Sequence, residues 1–213
     1  MACHVLEFAP AQPQSLAEKW RPTRLEDFCG LAKVKAGLSQ FIAAPYSASF
    51  IFKGDSGTGK SSMAEIVADS IDGELTHVRA QECSIDEMRR IVSFCHYMPM
   101  SGKKFHVVLI DESDSMSKAA RDFLLSPLDK LPPWTVFIMT CNSIDSFEPR
   151  FLSRNMVVDF SNYGIQADAT KFLAQVWEVE APGKAPLNFA RIIKEASGNV
   201  RAALKALEWE MKL

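Results

Sequence analysis

The segment Gly54-Asp55-Ser56-Gly57-Thr58-Gly59-Lys60-Ser61 satisfies the pattern G-x-x-x-x-G-K-[ST], with Ser62 following it. Glycines at these positions let backbone N–H groups converge on phosphate oxygens without a Cβ in the way. A helix beginning there adds the positive end of its dipole. Lys60 would neutralise β- and γ-phosphates, and Ser61 would offer a hydroxyl to Mg²⁺. Downstream, Phe105-His-Val-Val-Leu-Ile110 runs into Asp111-Glu112. An acid at the carboxyl end of a buried parallel strand can reach a ligand beside the phosphate loop. Asp111 would hold Mg²⁺, directly or through water, and Glu112 would accept a proton from an attacking water. Asn142 ends the next apolar run, Val136 to Cys141, and its neutral amide would orient that water or sense the γ-phosphate.

Five short runs must carry these groups: Ser49–Lys53, Leu75–Arg79, Phe105–Ile110, Thr135–Cys141 and Met156–Phe160. Several are apolar on successive positions, the pattern of strands buried on both faces. Helical periodicity lies between them. Met63, Ile66, Val67 and Ile71 share one face. Ser84 and Glu87 read as a capping box opening a helix with Ile85, Met88, Val92 and Cys95 inside. Lys118–Lys130 is a third helix, with Pro127 as a kink or break. Strand alternating with helix implies an α/β fold with a five-stranded parallel sheet between helices. Beyond Gly164 the strands stop. Runs around Phe172–Trp177, Phe189–Ala196 and Val200–Met211 make a small three-helix unit.

These residues and their order resemble the AAA+ ATPases, a P-loop NTPase family, and within them the clamp-loader group: replication factor C small subunits and their bacterial and phage relatives. Glu18-Lys19-Trp20-Arg21-Pro22 with Leu25-Glu26-Asp27-Phe28-Cys29-Gly30 resembles the group's N-terminal box. Asp111-Glu112-Ser113-Asp114 resembles its D-E-x-D motif, and Thr140-Cys141-Asn142 its sensor 1. Glu148-Pro149 with Ser153-Arg154 resembles its E-P-x-x-S-R-C motif, with Asn155 in place of the Cys. Ser197-Gly198-Asn199-Val200-Arg201 resembles sensor 2. The resemblance implies that Trp20, Arg21 and Pro22 line an adenine pocket. It implies that Arg154, or the nearby Arg150, acts as an arginine finger on a neighbouring subunit's nucleotide. Arg201 would couple the helical lid to the γ-phosphate in cis. It also implies ATP and Mg²⁺ as ligands and a homo- or hetero-oligomeric ring, a pentamer or a hexamer. Such a ring would act on primed or single-stranded DNA with a sliding clamp or a helicase. The division expected is a flexible arm over 1–17, a nucleotide-binding domain over 18–163 and a lid over 164–213. The group's collar domain is expected to be missing, since the sequence ends at Leu213.

Composition narrows the classes. There are 24 Lys plus Arg against 26 Asp plus Glu in 213 residues, which excludes a generally basic nucleic-acid coat and leaves only a local patch for DNA. Arg89, Arg90, Lys103 and Lys104 are that patch, or else a solvated helix face. Phe94, Tyr97, Met98 and Met100 form either a partner-binding tip or a cluster packed under the sheet edge. His77, His96 and His106 lack ligand spacing and receive no role. No apolar stretch approaches a membrane span, no signal peptide is visible, and five widely spaced cysteines fit reduced thiols, so a cytoplasmic location is expected. Three functions fit: a clamp-loader-like ATPase of DNA replication, a helicase loader of phage or plasmid type, and a nucleotide-gated structural subunit that hydrolyses little alone.

Overall fold

A computed structural model of the chain describes residues 14–161 and 165–212. Most of the expected arm (1–13), residues 162–164 at the expected domain boundary and residue 213 lie outside them. The strands are β1 Ala48–Lys53, β2 Gly73–Arg79, β3 Phe105–Asp111, β4 Thr135–Cys141 and β5 Met156–Asp159. All pairings are parallel, in the order β2-β3-β4-β1-β5. The helices are α1 Leu16–Lys19, α2 Ala32–Ala43, α3 Lys60–Ser70, α4 Ile85–Phe94, α5 Lys118–Asp129, α6 Pro149–Leu152, α7 Ile165–Glu180, α8 Phe189–Glu195 and α9 Val200–Glu210. None is long and apolar enough to cross a membrane among the described residues.

The sheet is a buried middle layer because its central strands are mostly apolar and almost wholly buried, and their few buried polar side chains, Ser49, His106, Thr135 and Thr140, are hydrogen-bonded. Phe50, Phe52, Val107, Leu109, Val136 and Ile138 pack on α2 and α3 on one face. The alternating residues Ile51, Val108, Ile110, Phe137 and Met139 pack against α4 and α5 on the other. The edge strands β2 and β5 depart from this pattern, with Leu75, Met156 and Val157 exposed. An edge strand has one neighbour and fewer covering helices, so full burial does not extend to it.

Two local expectations are refined. Ser84 Oγ accepts from Glu87 N–H at 3.1 Å, which is the N-cap half of the box. The Glu87 carboxylate turns instead to Arg90, at 2.5 Å, and that contact holds it below the usual range. Pro127 does not break α5, which continues to Asp129. It sits in the last turn, where few residues remain to lose a bond.

The three helices after β5, where the lid is expected, have their own core. Leu173, Val176 and Trp177 of α7, Ile193 of α8 and Leu204 and Leu207 of α9 cluster apart from the sheet. Leu16 belongs to the same cluster, and its N–H donates to Glu208 at 3.2 Å. Residues 15–17, expected in a flexible arm, therefore lead into a short helix seated on the lid. Glu180 of α7 fastens that segment, accepting from Lys19 Nζ at 2.9 Å and Trp20 Nε1 at 2.8 Å. The Lys19 contact above all, aided by Trp20, holds its carboxyl below the ordinary range against the opposing effect of burial.

Candidate nucleotide site

The phosphate loop joins β1 to α3 at the carboxyl end of the sheet. Gly54 (φ +156°), Gly57 (φ +79°) and Gly59 (φ +90°) carry the turn, and each packs too tightly for a side chain. A Cβ at Gly54 would lie 2.7 Å from the Phe160 carbonyl oxygen, and one at Gly59 2.6 Å from the Phe28 ring. Thr58 Oγ1 donates to the Asp55 carbonyl at 2.8 Å, bracing the loop from within. Ser56 contributes its carbonyl to the lid, accepting from Asn199 Nδ2 at 2.8 Å.

Lys60 folds back into the loop. Its ammonium donates to the Gly54 and Asp55 carbonyls at 2.5 and 2.9 Å and to Asn142 Oδ1 at 3.4 Å. Burial pulls it below the usual ammonium range, with Cys141, Asp55, Asp114 and Asp111 opposing the shift. The Cys141 thiol is pushed up to about 11, chiefly by burial, so it stays protonated and is no nucleophile here.

The acids stand where the strand pattern put them. Asp111 ends β3, and its Oδ1 accepts from Ser61 Oγ and Thr140 Oγ1, both at 2.8 Å. Glu112 follows in the left-handed region (φ +56°, ψ 41°), a conformation that costs a non-glycine residue on the order of 1 kcal/mol. Its N–H is held by Thr140 Oγ1 at 3.1 Å, and its side chain is exposed. The Asn142 N–H donates to Asp114 Oδ2 at 3.2 Å, so the fourth residue of the acid motif holds the Asn142 backbone in place.

Two cavities meet at the loop. One, of 330 Å³, is walled by Trp20, Arg21, Pro22, Phe28, Gly57 and Arg201 among others. Trp20 stands edge-on to Phe172 of the lid, with centroids 5.9 Å apart. Arg21 crosses to α3, donating to Ser62 Oγ at 2.9 Å and Glu65 at 2.6 Å, so Ser62 serves as an anchor for the wall. The other, of 630 Å³, contains Lys60, Ser61, Asp111, Glu112 and Asn142. Arg201 reaches both cavities, and its side chain makes no hydrogen bond or ion pair with any described residue.

Arg154 is not brought to this chain's own loop. Met156 pairs with Phe50, which puts Arg154 near the start of β1, at the other end of the strand from Gly54. Its guanidinium grips Asp129 at 2.7 and 2.9 Å and also contacts the Arg150 carbonyl. Arg150 is bound by Glu148 and Asp122 at 2.6 and 2.8 Å. Asn155 pins the segment to β1 through Ser49 Oγ at 2.5 Å.

Several residues that sequence reasoning passed over share the second cavity. His77, given no role from spacing, has its Nε2 2.7 Å from Asp111 Oδ2. Arg79 and Gln81 also line this cavity. The only local signal is strand alternation, which puts 77 and 79 on one side of β2. The neighbour they face is set by strand order.

The proposed DNA patch is largely neutralised. Arg89 and Arg90 pair with Asp86 and Glu87 on their own helix, and Lys103 donates to the Gly73 carbonyl at 2.9 Å. The solvated-face reading is therefore the better one for these cations. The tip residues do project, with Tyr97, Met98 and Met100 being 73%, 64% and 86% exposed. Phe94 is also exposed, at 40%, though its ring lies 5.3 Å from that of His106. His106 is buried and binds the Tyr97 carbonyl at 2.8 Å, a structural task.

A five-stranded parallel sheet with a phosphate loop after β1 and an acid pair after β3 defines a P-loop nucleoside-triphosphatase fold. Residues 50–162 match the family described as ATPase family associated with various cellular activities (AAA), and the chain belongs to that family. Replication factor C subunit 3 of Blastobotrys adeninivorans is 30% identical over 95% of this chain and 62% of its own length. Replication factor C small subunit 1 of Pyrobaculum aerophilum is 28% identical, over 90% and 60%. The chain thus resembles clamp-loader small subunits while spanning about three-fifths of the length of these curated relatives. In fold it is similar to RuvB of Thermotoga maritima, at a TM-score of 0.75 and 17% identity, covering 89% of this chain and 65% of that one.

Proposed function

We infer that this chain binds and hydrolyses ATP, and does so as one subunit of a clamp-loader-like assembly of DNA replication. The observation that carries the reading is the junction of the two cavities at the phosphate loop. A chamber of mixed lining, with Trp20, Phe28 and Phe172 in its wall, adjoins the cavity that holds Lys60, Ser61, Asp111 and Glu112, the division of labour a nucleoside triphosphate requires.

The residues fit Mg²⁺. Ser61 Oγ and Asp111 Oδ1 are hard oxygen donors 2.8 Å apart. No cluster of three or more His, Cys, Asp or Glu is placed to cage a metal among the described residues. That suits a cation carried largely by phosphate and water, with one carboxylate and one hydroxyl from the protein. Bound there, Mg²⁺ would neutralise charge on the phosphate oxygens.

Lys60 adds a second positive charge from within the loop. Glu112, turned out at the end of β3, accepts the proton of the attacking water, and Asn142 orients that water from beside Lys60. Arg201 reads the phosphate end from the lid. Arg154 serves a neighbouring copy or sister subunit, because within one chain it stands away from the loop. The exposed tip at Tyr97, Met98 and Met100 is the surface for a sliding clamp. DNA contact is carried by the assembled subunits rather than by the paired cations of α4.

Glu112→Gln and Lys60→Ala test the core of the reading. Glu112→Gln binds ATP with near-normal affinity, loses about 10²–10⁴-fold in turnover and accumulates assemblies. Lys60→Ala loses ATP affinity itself. Hydrolysis by Glu112→Gln at the wild-type rate would contradict the assignment.

A further inference from the structure

His77 lies outside every motif, yet it reaches the acid on which the proposed metal site depends. It stands on β2, the edge strand beside β3, on the same side as Arg79, which pairs in register with Asp111. Its Nε2 is 2.7 Å from Asp111 Oδ2. The other oxygen, Oδ1, accepts from Ser61 and Thr140. An ionised carboxylate has no hydrogen to give, so Nε2 carries the shared one and His77 is the donor. Ser61 and Thr140 therefore fix one oxygen of Asp111, and His77 fixes the second. With both oxygens held, rotation of the carboxylate about its terminal bond is suppressed.

We propose that His77 is a positioning residue for the divalent cation, its Nε2–H orienting Asp111 so that the carboxylate meets the metal in one fixed direction. The inference rests on the reading of Asp111 as the metal-holding acid. His77 is not itself a ligand, because the nitrogen facing the site is spent on the hydrogen bond. Orientation matters here because Mg²⁺ demands near-ideal octahedral geometry and takes few protein ligands, so a swinging carboxylate would weaken its main protein contact. Partners that hold a ligating group are typically worth 10–100-fold in metal affinity or activity. His77 contributes little to folding, since its side chain is 43% exposed and the contact is of the surface type.

The test uses Mn²⁺ as a paramagnetic probe in the complex of the full chain with a non-hydrolysable ATP analogue, read by electron paramagnetic resonance. His77→Ala raises the Mn²⁺ dissociation constant of that complex about tenfold. His77→Gln, whose side-chain amide keeps an N–H donor, recovers most of the loss. Both variants keep the wild-type thermal midpoint, and both bind the analogue normally in EDTA. The proposal is overturned if His77→Ala holds Mn²⁺ as the wild type does, if His77→Gln is no better than His77→Ala, or if analogue affinity in EDTA falls in parallel. Asp111→Asn run alongside separates the two levels. If Asp111→Asn also keeps wild-type Mn²⁺ affinity, the metal assignment itself fails. If Asp111→Asn loses Mn²⁺ and His77→Ala does not, only the role of His77 fails.

Discussion

Asn199 Nδ2 donates to the Ser56 carbonyl at 2.8 Å, so the residue that opens the last lid helix is tied directly to the phosphate loop. The same side chain caps α9, its Oδ1 accepting from Ala202 N–H at 3.0 Å. One amide thus serves both the helix and the loop. Gly57 makes room for it, since a Cβ there would lie 2.2 Å from Asn199 Oδ1. Asn199→Asp keeps the cap acceptor and loses the donor to Ser56. It is expected to leave stability nearly unchanged and to weaken ATP binding several-fold. Asn199→Ala loses both and costs about 1 kcal/mol as well. Denaturant midpoints and titration with a fluorescent ATP analogue check the two effects separately.

The ion pair of Asp129 with Arg154 bears on the trans reading. Arg154→Ala should bind ATP normally and lose the concentration-dependent part of hydrolysis, by up to about 10³-fold if the finger dominates. Mixing Arg154→Ala with Glu112→Gln should restore turnover in part, because one variant supplies a competent site and the other a competent finger. Arg150→Ala serves as the comparison. Unchanged hydrolysis by Arg154→Ala, with loss in Arg150→Ala, would transfer the role to Arg150.

Glu180 gives a pH dependence with a definite sign. Its folded pKa lies below its ordinary value of 4.5, so its bonds to Lys19 and Trp20 stabilise fully above that pH and are lost as pH falls through the folded value. Glu180→Gln should therefore lower the thermal midpoint at pH 7, and the difference from wild type should shrink below about pH 4.5. A difference that is constant across that window would contradict the linkage.

The tip at Tyr97 and Met98 should separate partner binding from folding. Both side chains are mostly exposed, so Tyr97→Ser with Met98→Ser should leave the thermal midpoint within experimental scatter and leave basal ATPase intact. Binding to an immobilised sliding clamp should drop severely. Retained clamp binding would remove this surface from the proposal.

The phosphate loop, the acid pair and Asn142 were legible from residue order because each depends on a short stretch of backbone. A glycine-rich turn ahead of a helix, or an acid at the end of an apolar strand, carries its chemistry locally. The sheet was legible for the same reason, since its central strands are apolar at successive positions from Val107 to Ile110. Other relationships join residues far apart in the chain. Leu16 enters the lid core, His77 meets Asp111, Asn199 meets Ser56, and Asp129 holds Arg154. Each of these depends on which strands lie side by side and which helix packs where. Burial of apolar surface across the whole molecule decides that arrangement, and the pattern within any one segment does not encode it.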